Sequence, residues 1–431
     1  MQNDNVYLSR DHKRSRRAYI LECAFEYFIS LTVTDAFLAK LLRSMGADDA
    51  LCGIISSFIS LAMLFQLCSL FVVERITNTK KTAVAVHTVS QLLFTSLYLI
   101  PFLPFDDAYK SPVFIICMLA AYLGNYTVTS VIFRWGMSFV DPGRRGRYSA
   151  VKEMVSLASG IAVSLLIGIA TDKFDEVGNI KGGFAFTAAC MAIFSVCDFI
   201  CLMMIKNEPI KEKKSREPLL PILKYIFGCK EYLRALIIHC LINIATYTTL
   251  GFMGTYKQDE LAYTVGQIQL INTLGVVGRF AASRPIGKFS DKNTHYRGIM
   301  LGISILACAF AVNIFTSPGV RWLVIIYTLL YNVSCAGTSQ NLLNITYSYI
   351  PEKYFVQATV IKSSISGVIG FGATVLSGKL LGAVQSNGNT LFGMTVYSQQ
   401  LQSAISLAVI LITLVYMACC SKKMCKNKEA G

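Results

Sequence analysis

The chain has 431 residues, 54% of them hydrophobic and only 15% charged, with 40 Lys and Arg against 25 Asp and Glu. A soluble domain carries about 25% charged residues, so this deficit excludes an ordinary water-soluble globular protein. The formal net charge of +15 points either to nucleic acid or to an anionic membrane surface, and its distribution along the chain separates the two.

The first apolar stretch follows Arg10, Lys13, Arg14, Arg16 and Arg17, a charge cluster like that of a signal peptide. It is too long for one, contains Glu22 and Glu26, and lacks a small-residue cleavage site, so it predicts a retained first helix over 18–42. Further stretches of similar length follow at 50–73, 82–104, 112–139, 148–170 and 182–205. A second set lies at 234–256, 263–289, 298–315, 321–347, 355–382 and 399–419. Each is long enough to cross a hydrocarbon core of about 30 Å as a helix, and helices are the natural spanning element there because every backbone N–H and C=O needs an internal partner. Between the sets, 206–233 is the longest polar stretch, and within it 219–232 mixes Leu, Ile, Tyr and Phe with Lys224 and Lys230, as an amphipathic helix lying on the membrane would. The pattern predicts an all-α polytopic membrane protein with 12 transmembrane helices. Its parts are a cytoplasmic N-terminal segment (1–17), a six-helix bundle (18–205), a cytoplasmic linker (206–233), a second six-helix bundle (234–420) and a basic tail (421–431).

Lys and Arg concentrate in cytoplasmic loops. With the N-terminus inside, 32 of the 40 fall in or beside the inner segments, and the acidic pairs Asp48-Asp49, Asp106-Asp107 and Asp259-Glu260 fall outside. Both termini are therefore expected in the cytoplasm. The same spread argues against nucleic-acid binding, which would gather the charge into one patch. Of the 14 cysteines, Cys117, Cys190, Cys201, Cys308 and Cys335 lie singly in apolar runs, where Cys acts as a small hydrophobe. No CxxC pair or His/Cys group with zinc spacing occurs, and the four histidines are isolated in sequence, so no metal and no cofactor is expected.

A shift of 210 residues brings Lys152, Ser156, Gly160, Leu166 and Gly168 onto Lys362, Ser366, Gly370, Leu376 and Gly378, at the fifth span of each half. Two related halves joined by a long linker is a transporter pattern. At the inner end of span eight stands Gly287-Lys288-Phe289-Ser290-Asp291-Lys292, followed by Tyr296-Arg297. A degraded copy between spans two and three has Leu70 in place of the glycine and ends in Glu74-Arg75, and Pro142-Gly143-Arg144-Arg145-Gly146-Arg147 forms a basic turn before span five. These segments resemble the loop signatures of the major facilitator superfamily, and the resemblance extends over the whole chain in span count, linker and loop placement. It implies two pseudo-symmetric six-helix bundles that alternate access to a central cavity. In physical terms, Asp291 and Glu74 are placed to cap the positive ends of neighbouring helices and to act, with Arg75, Lys292, Arg297, Arg134, Arg145 and Arg147, as an inner gate. Two departures weaken a drug-exporting assignment: span five carries no Gly-x-x-x-Gly-Pro run, and Arg134 lies near the inner end of span four instead of mid-membrane.

Ionisable residues inside spans are costly and are functional candidates by default. Glu22, Glu26, Ser30 and Thr34 recur at four-residue spacing on span one. Glu26 falls near the midplane and is the proton-coupling candidate, whereas Glu22, closer to the inner edge, is expected to reach the headgroups. Asp198 and His239 are expected to find local partners, and Lys152 and Lys362 to snorkel. The C-terminal half adds neutral polar groups as substrate candidates: Asn243, Tyr247, Gln267, Asn272, Tyr331, Gln340 and Asn341. The sequence thus reads as a non-enzymatic, monomeric secondary transporter in the plasma membrane, with a small-molecule substrate and a proton as partners and the lipid bilayer around it. The alternatives are a drug or metabolite efflux antiporter, and a non-transporting membrane sensor or scaffold.

Overall fold

The computed structural model describes residues 9–72, 79–104, 106–141, 145–206, 219–391 and 394–424. The first span is α1 (Arg10–Thr32) followed by α2 (Asp35–Arg43). The Ser9 hydroxyl starts α1 by accepting from the His12 N–H at 3.2 Å. The span breaks at Thr34, which is extended, and at Asp35, whose φ of +47° is the left-handed region that short polar side chains tolerate best. A break at this depth frees a backbone carbonyl, and Tyr98 meets it: its hydroxyl donates to Thr32 O at 2.6 Å. The second span is also interrupted, as α3 (Asp49–Ser56), α4 (Phe58–Ala62), a 3-10 turn (Met63–Phe65) and α5 (Gln66–Val72).

The remaining spans of this half are α6 (Thr79–Ser96) with a 3-10 extension (Leu97–Phe102), α7 (Asp107–Met137), α8 (Arg145–Glu176) and α9 (Ile180–Met204). Gly178, at φ +70°, turns the chain between the last two, and the Asn179 side chain caps α9 by accepting from Gly182 N–H at 2.9 Å. The amphipathic segment forms α10 (Leu219–Gly228). The second half comprises α11 (Lys230–Leu250), continued by a short helical turn (Met253–Thr255) and a π-helical turn (Tyr256–Glu260), then α12 (Val265–Lys292), α13 (His295–Ile314), α14 (Leu323–Tyr349), α15 (Phe355–Ser386) and α16 (Ser398–Met424). A two-residue antiparallel pair, Thr390–Leu391 with Met394–Thr395, precedes α16.

These helices supply the twelve spans read from the sequence. Among the described residues, nine are long and apolar enough to cross a membrane by length and composition alone. The other three, α1, α12 and α14, carry the polar load: Glu22 and Glu26, Arg279 and Arg284, and Asn332, Gln340, Asn341 and Asn344.

The helices group into two compact units. The first contains Met1–Ala47, Phe65–Ser215 and Thr264–Gln269, and the second Asp48–Leu64, Arg216–Tyr263 and Leu270–Gly431. Two short pieces thus depart from a simple division at the linker, and hydrogen bonds explain both. In the second unit Ser60 donates to Gly367 O, and Ser364 to Met63 O, each at 2.8 Å, tying span two to α15. In the first unit the Asp172 carboxylate accepts from Thr264 Oγ1 at 2.6 Å and from Gly266 N–H at 2.9 Å, tying the end of α8 to the start of α12. The first core gathers Tyr19, Val131, Trp135 and Phe139, and the second Ile238, Tyr256, Tyr296 and Phe310.

Within the second unit α13 and α14 cross at a glycine pair. A Cβ on Gly302 would meet Gly337 C and Ser334 O at 3.0 Å, and one on Gly337 would meet Gly302 Cα at 2.8 Å, whereas nothing lies within 4 Å of one on Gly287. Such close backbone approach is how helices associate in lipid. Gly302→Val should therefore cost about 1–3 kcal/mol of overpacking, read as a lowered melting temperature in detergent, with Gly287→Ala unchanged. Equal melting of the two variants would remove this packing argument.

Candidate functional site

The first unit buries a charged cluster built from three spans. Glu22 lies on α1, one helical turn before Glu26. His87 lies on α6 and Asp198 on α9, eight residues from Thr79 and six from Met204, which places both about 9–12 Å inside their helix ends. Glu22 and His87 are 1% exposed and Asp198 is fully buried. His87 Nε2 stands 3.0 Å from Asp198 Oδ2 and 3.9 Å from Glu22 Oε1. The other Glu22 oxygen accepts from the Cys23 thiol at 3.1 Å. Gln91, one turn along α6 and also 1% exposed, brings Nε2 to 3.3 Å from His87 Nε2. Among the described residues, His87 Nδ1, Gln91 Oε1 and Asp198 Oδ1 are buried without a hydrogen-bond partner.

This cluster corrects the reading of Glu22 as a headgroup-reaching side chain. Burial of a lone carboxylate in hydrocarbon is costly, and the side chain instead turns inward to a counter-charge. The histidine that pairs with it was isolated in sequence, as were both carboxylates, because the three sit 65 and 111 positions apart.

Glu26 has a different setting. It is half-buried, and its Oε1 accepts from Asn125 Nδ2 of α7 at 3.1 Å. Asn125 Oδ1 is buried with no partner among the described residues. The amide can therefore donate to the carboxylate or accept from the carboxylic acid, so one neutral partner serves both proton states. Lys152 of α8 holds its ammonium over the rings of Tyr19 and Phe133, at 5.2 and 5.5 Å.

In the second half of the chain the polar residues separate by use. Asn341 is 4% exposed and fully engaged: it donates to Ser290 Oγ at 2.9 Å and to Gly337 O at 2.7 Å, and its Oδ1 lies 3.0 Å from His295 Nδ1. Gln340 is exposed and donates to Asn344 Oδ1 at 3.3 Å. Gln267 is exposed in the first turn of α12, where its Oε1 accepts from Thr264 N–H at 3.1 Å, so it caps a helix end and is not a mid-span group. Asn272 Oδ1 accepts from the buried ammonium of Lys257 at 3.3 Å. Tyr247 is buried against Gly370, and its backbone carbonyl accepts from Thr374 at 2.7 Å. Tyr331 stacks obliquely on Tyr327, with ring centroids 6.0 Å apart. Asn243 is 8% exposed, and its Nδ2 has no partner among the described residues.

One charged residue escaped the sequence reading. Arg279 occupies the middle of α12, half-buried, close enough to Tyr331 and Cys335 of α14 to act on both electrostatically. A mid-span arginine was visible in the sequence, but it falls close to the basic segment that ends in Lys292 and was counted with it. Lys362 is 2% exposed and does not snorkel; it donates to Leu342 O at 2.5 Å and Thr346 Oγ1 at 2.7 Å. His239 takes a local partner, with Nδ1 3.2 Å from Ser366 Oγ.

Of the gate residues, Glu74 and Arg75 lie outside the described residues. Arg145 and Arg147 are in the first turn of α8. Gly287, Asp291 and Lys292 are in the last turns of α12, with Asp291 and Lys292 exposed. Arg297 donates to Asn293 Oδ1 at 3.3 Å, and Arg134 is exposed near the end of α7.

The sequence pattern of the Major Facilitator Superfamily matches residues 21–374, and the chain belongs to that family. Its fold is that of the family: twelve transmembrane helices in two pseudo-symmetric six-helix bundles. Solved structures similar to it include a mutant of the nucleoside transporter NupG, with a TM-score of 0.72, 13% identity, and 94% of this chain and 99% of that chain covered. An auto-inhibited POT family peptide transporter gives a TM-score of 0.70 at 13% identity, covering 94% of this chain and 97% of that one. A bacterial homologue of the iron transporter ferroportin gives 0.61 at 14% identity, covering 96% and 100%. No curated protein sequence matches the chain. Family and fold together make it a multi-pass membrane transporter for a small molecule.

The buried cluster yields a stability test. His87→Leu removes the one imidazole between two buried carboxylates, and breaking a buried pair in this way costs about 3–5 kcal/mol. The triple variant Glu22→Gln, His87→Gln, Asp198→Asn leaves no charge behind and should lose less. Thermal unfolding in detergent should rank wild type above the triple variant and the triple variant above His87→Leu; a triple variant less stable than His87→Leu would contradict the ion-pair account.

Proposed function

We propose that this protein is a secondary active transporter that moves a small solute by alternating access, coupled to protons through Glu26. The observation that carries the coupling is the Glu26–Asn125 pair. A carboxylate at mid-span depth has as its described hydrogen-bond partner a neutral amide, and that amide keeps an unused acceptor on the same side chain. Taking up a proton then exchanges one hydrogen bond for another and strands no charge, which a coupling residue in a low-dielectric bundle requires. The half-exposure of Glu26 supports access, in contrast to the sealed Glu22 one turn away.

The distribution of Lys and Arg supports both termini in the cytoplasm. In the second half, Asn243 with its unused Nδ2 and the mid-span Arg279 are the groups best placed to engage a solute. No residue set favours the sensor or scaffold reading.

In proteoliposomes with an imposed pH gradient, Glu26→Gln should abolish gradient-driven accumulation while leaving solute exchange, because binding and rocking persist without the titrating group. Asn125→Leu should reduce accumulation roughly tenfold, the equivalent of losing one hydrogen bond to a charged group, about 1.5 kcal/mol. Accumulation by Glu26→Gln at the wild-type level would end the assignment.

A further inference from the structure

The transport reading makes no use of Glu22, His87 and Asp198, although they form the most deeply buried charged group described in the first unit. Their ligating atoms, one per side chain, all lie within 4.8 Å of one another, and each comes from a different helix. The two separations from His87 Nε2 are 3.0 and 3.9 Å. Donors bound to one first-row metal at about 2.0–2.2 Å in a tetrahedral arrangement stand roughly 3.3 Å apart. These two spacings straddle that figure and the third lies within 4.8 Å, so side-chain shifts on the order of an ångström convert the cluster into a coordination shell.

We propose that Glu22, His87 and Asp198 bind a divalent first-row transition-metal ion, with Gln91 as a fourth donor. Charge is the first reason. A proton on His87 leaves one positive charge facing two carboxylates, and the imidazole reaches only Asp198 closely. A dication with a neutral imidazole cancels both carboxylates, which matters most where no water reaches them. The unsatisfied Gln91 is the second, independent reason. Its Oε1 is buried without a partner while its Nε2 faces His87 Nε2 at 3.3 Å. Half a turn of the amide carries the oxygen to that position and supplies the missing ligand.

The donor set selects the class of ion. Imidazole with carboxylate and amide oxygens suits zinc, iron, cobalt or manganese; magnesium and calcium prefer shells of oxygen alone. The Cys23 thiol is engaged with the outer oxygen of Glu22, so it orients that ligand and does not join the shell.

The test is a titration of the full-length purified protein with Co²⁺ after chelator stripping. The expected result is one Co²⁺ per chain, d–d absorption of a nitrogen/oxygen site without a thiolate charge-transfer band, and a raised melting temperature. Glu22→Gln, nearly isosteric and at the longer contact, should weaken Co²⁺ binding more than about a hundredfold, since even changes outside the first shell cost 10–100-fold. Glu26→Gln, which removes a charge acting on the three ligands from outside the shell, should weaken Co²⁺ binding less than Glu22→Gln does, so failure of metal binding and failure of proton coupling register in different variants. Absence of saturable binding, a thiolate band, or unchanged affinity in Glu22→Gln would overturn the site. The wild-type spectrum decides the question even if that variant does not fold.

Discussion

Inside a bilayer a polar group has only other protein groups to bond, and most of what is particular in this structure follows from that constraint. The broken spans show it best. Helix α1 stops at Thr32, well short of the expected end of the span at Leu42, and the freed carbonyl is met by Tyr98 from the neighbouring span at 2.6 Å. Span two breaks at Ser57 and again at Met63; Ser57 donates back to Ile54 O at 2.7 Å, and Met63 O accepts from Ser364. Each interruption is tolerated because a hydroxyl stands opposite it. Interrupted helices that share hydroxyl bonds with a neighbour are also where a membrane protein can bend at low cost, since the bonds can be exchanged without exposing the backbone to lipid.

The same constraint governs the charges. Glu22 and Glu26 are one residue type, one turn apart on one helix, with opposite fates. Glu22 is sealed with an imidazole and a second carboxylate, and its environment is polar only because three helices each contribute one group. Glu26 is half-open and meets a neutral amide. A sealed ion cluster gives rigidity and an address for a cation; a half-open acid with a two-way partner gives a group that can change state. Identical side chains thus meet opposite environments according to what the adjacent helices present.

Span number, span limits and the amphipathic α10 were legible in the sequence, because hydrophobic length and the placement of Lys and Arg are local properties. The fold agrees with the reading at every span, with ends differing by a few residues except where α1 begins at Arg10, well before the expected start at Ala18, and where α8 runs on to Glu176. The site was legible only in part. Glu26 stood out by depth alone. His87 could not, because nothing within α6 signals that Glu22 and Asp198 converge on it from 65 and 111 positions away. The breaks at Thr34 and Met63 were also hidden, since neither carries glycine or proline and the bonds that permit them come from Tyr98 and from Ser364 of α15. Arg279 is not distinguishable by sequence alone from the basic segment near Lys292 that follows it.

The polar residues of the second half show why a composition of amides and phenols does not by itself describe a substrate. Asn341 spends all its capacity joining α12, α13 and α14, Gln340 pairs along its own helix, and Gln267 caps one. Subtracting those bonds leaves Asn243, whose buried Nδ2 has no partner among the described residues, as the amide with a donor to spare. Solved structures of a nucleoside transporter, a peptide transporter and a bacterial homologue of an iron transporter share this fold at 13–14% identity, so the fold does not choose the cargo. On the transport reading proposed above, the choice falls to the few polar atoms that packing leaves unbonded. In hydrocarbon an unbonded donor is costly enough that its persistence calls for an explanation, and a ligand that pairs with it part of the time supplies one.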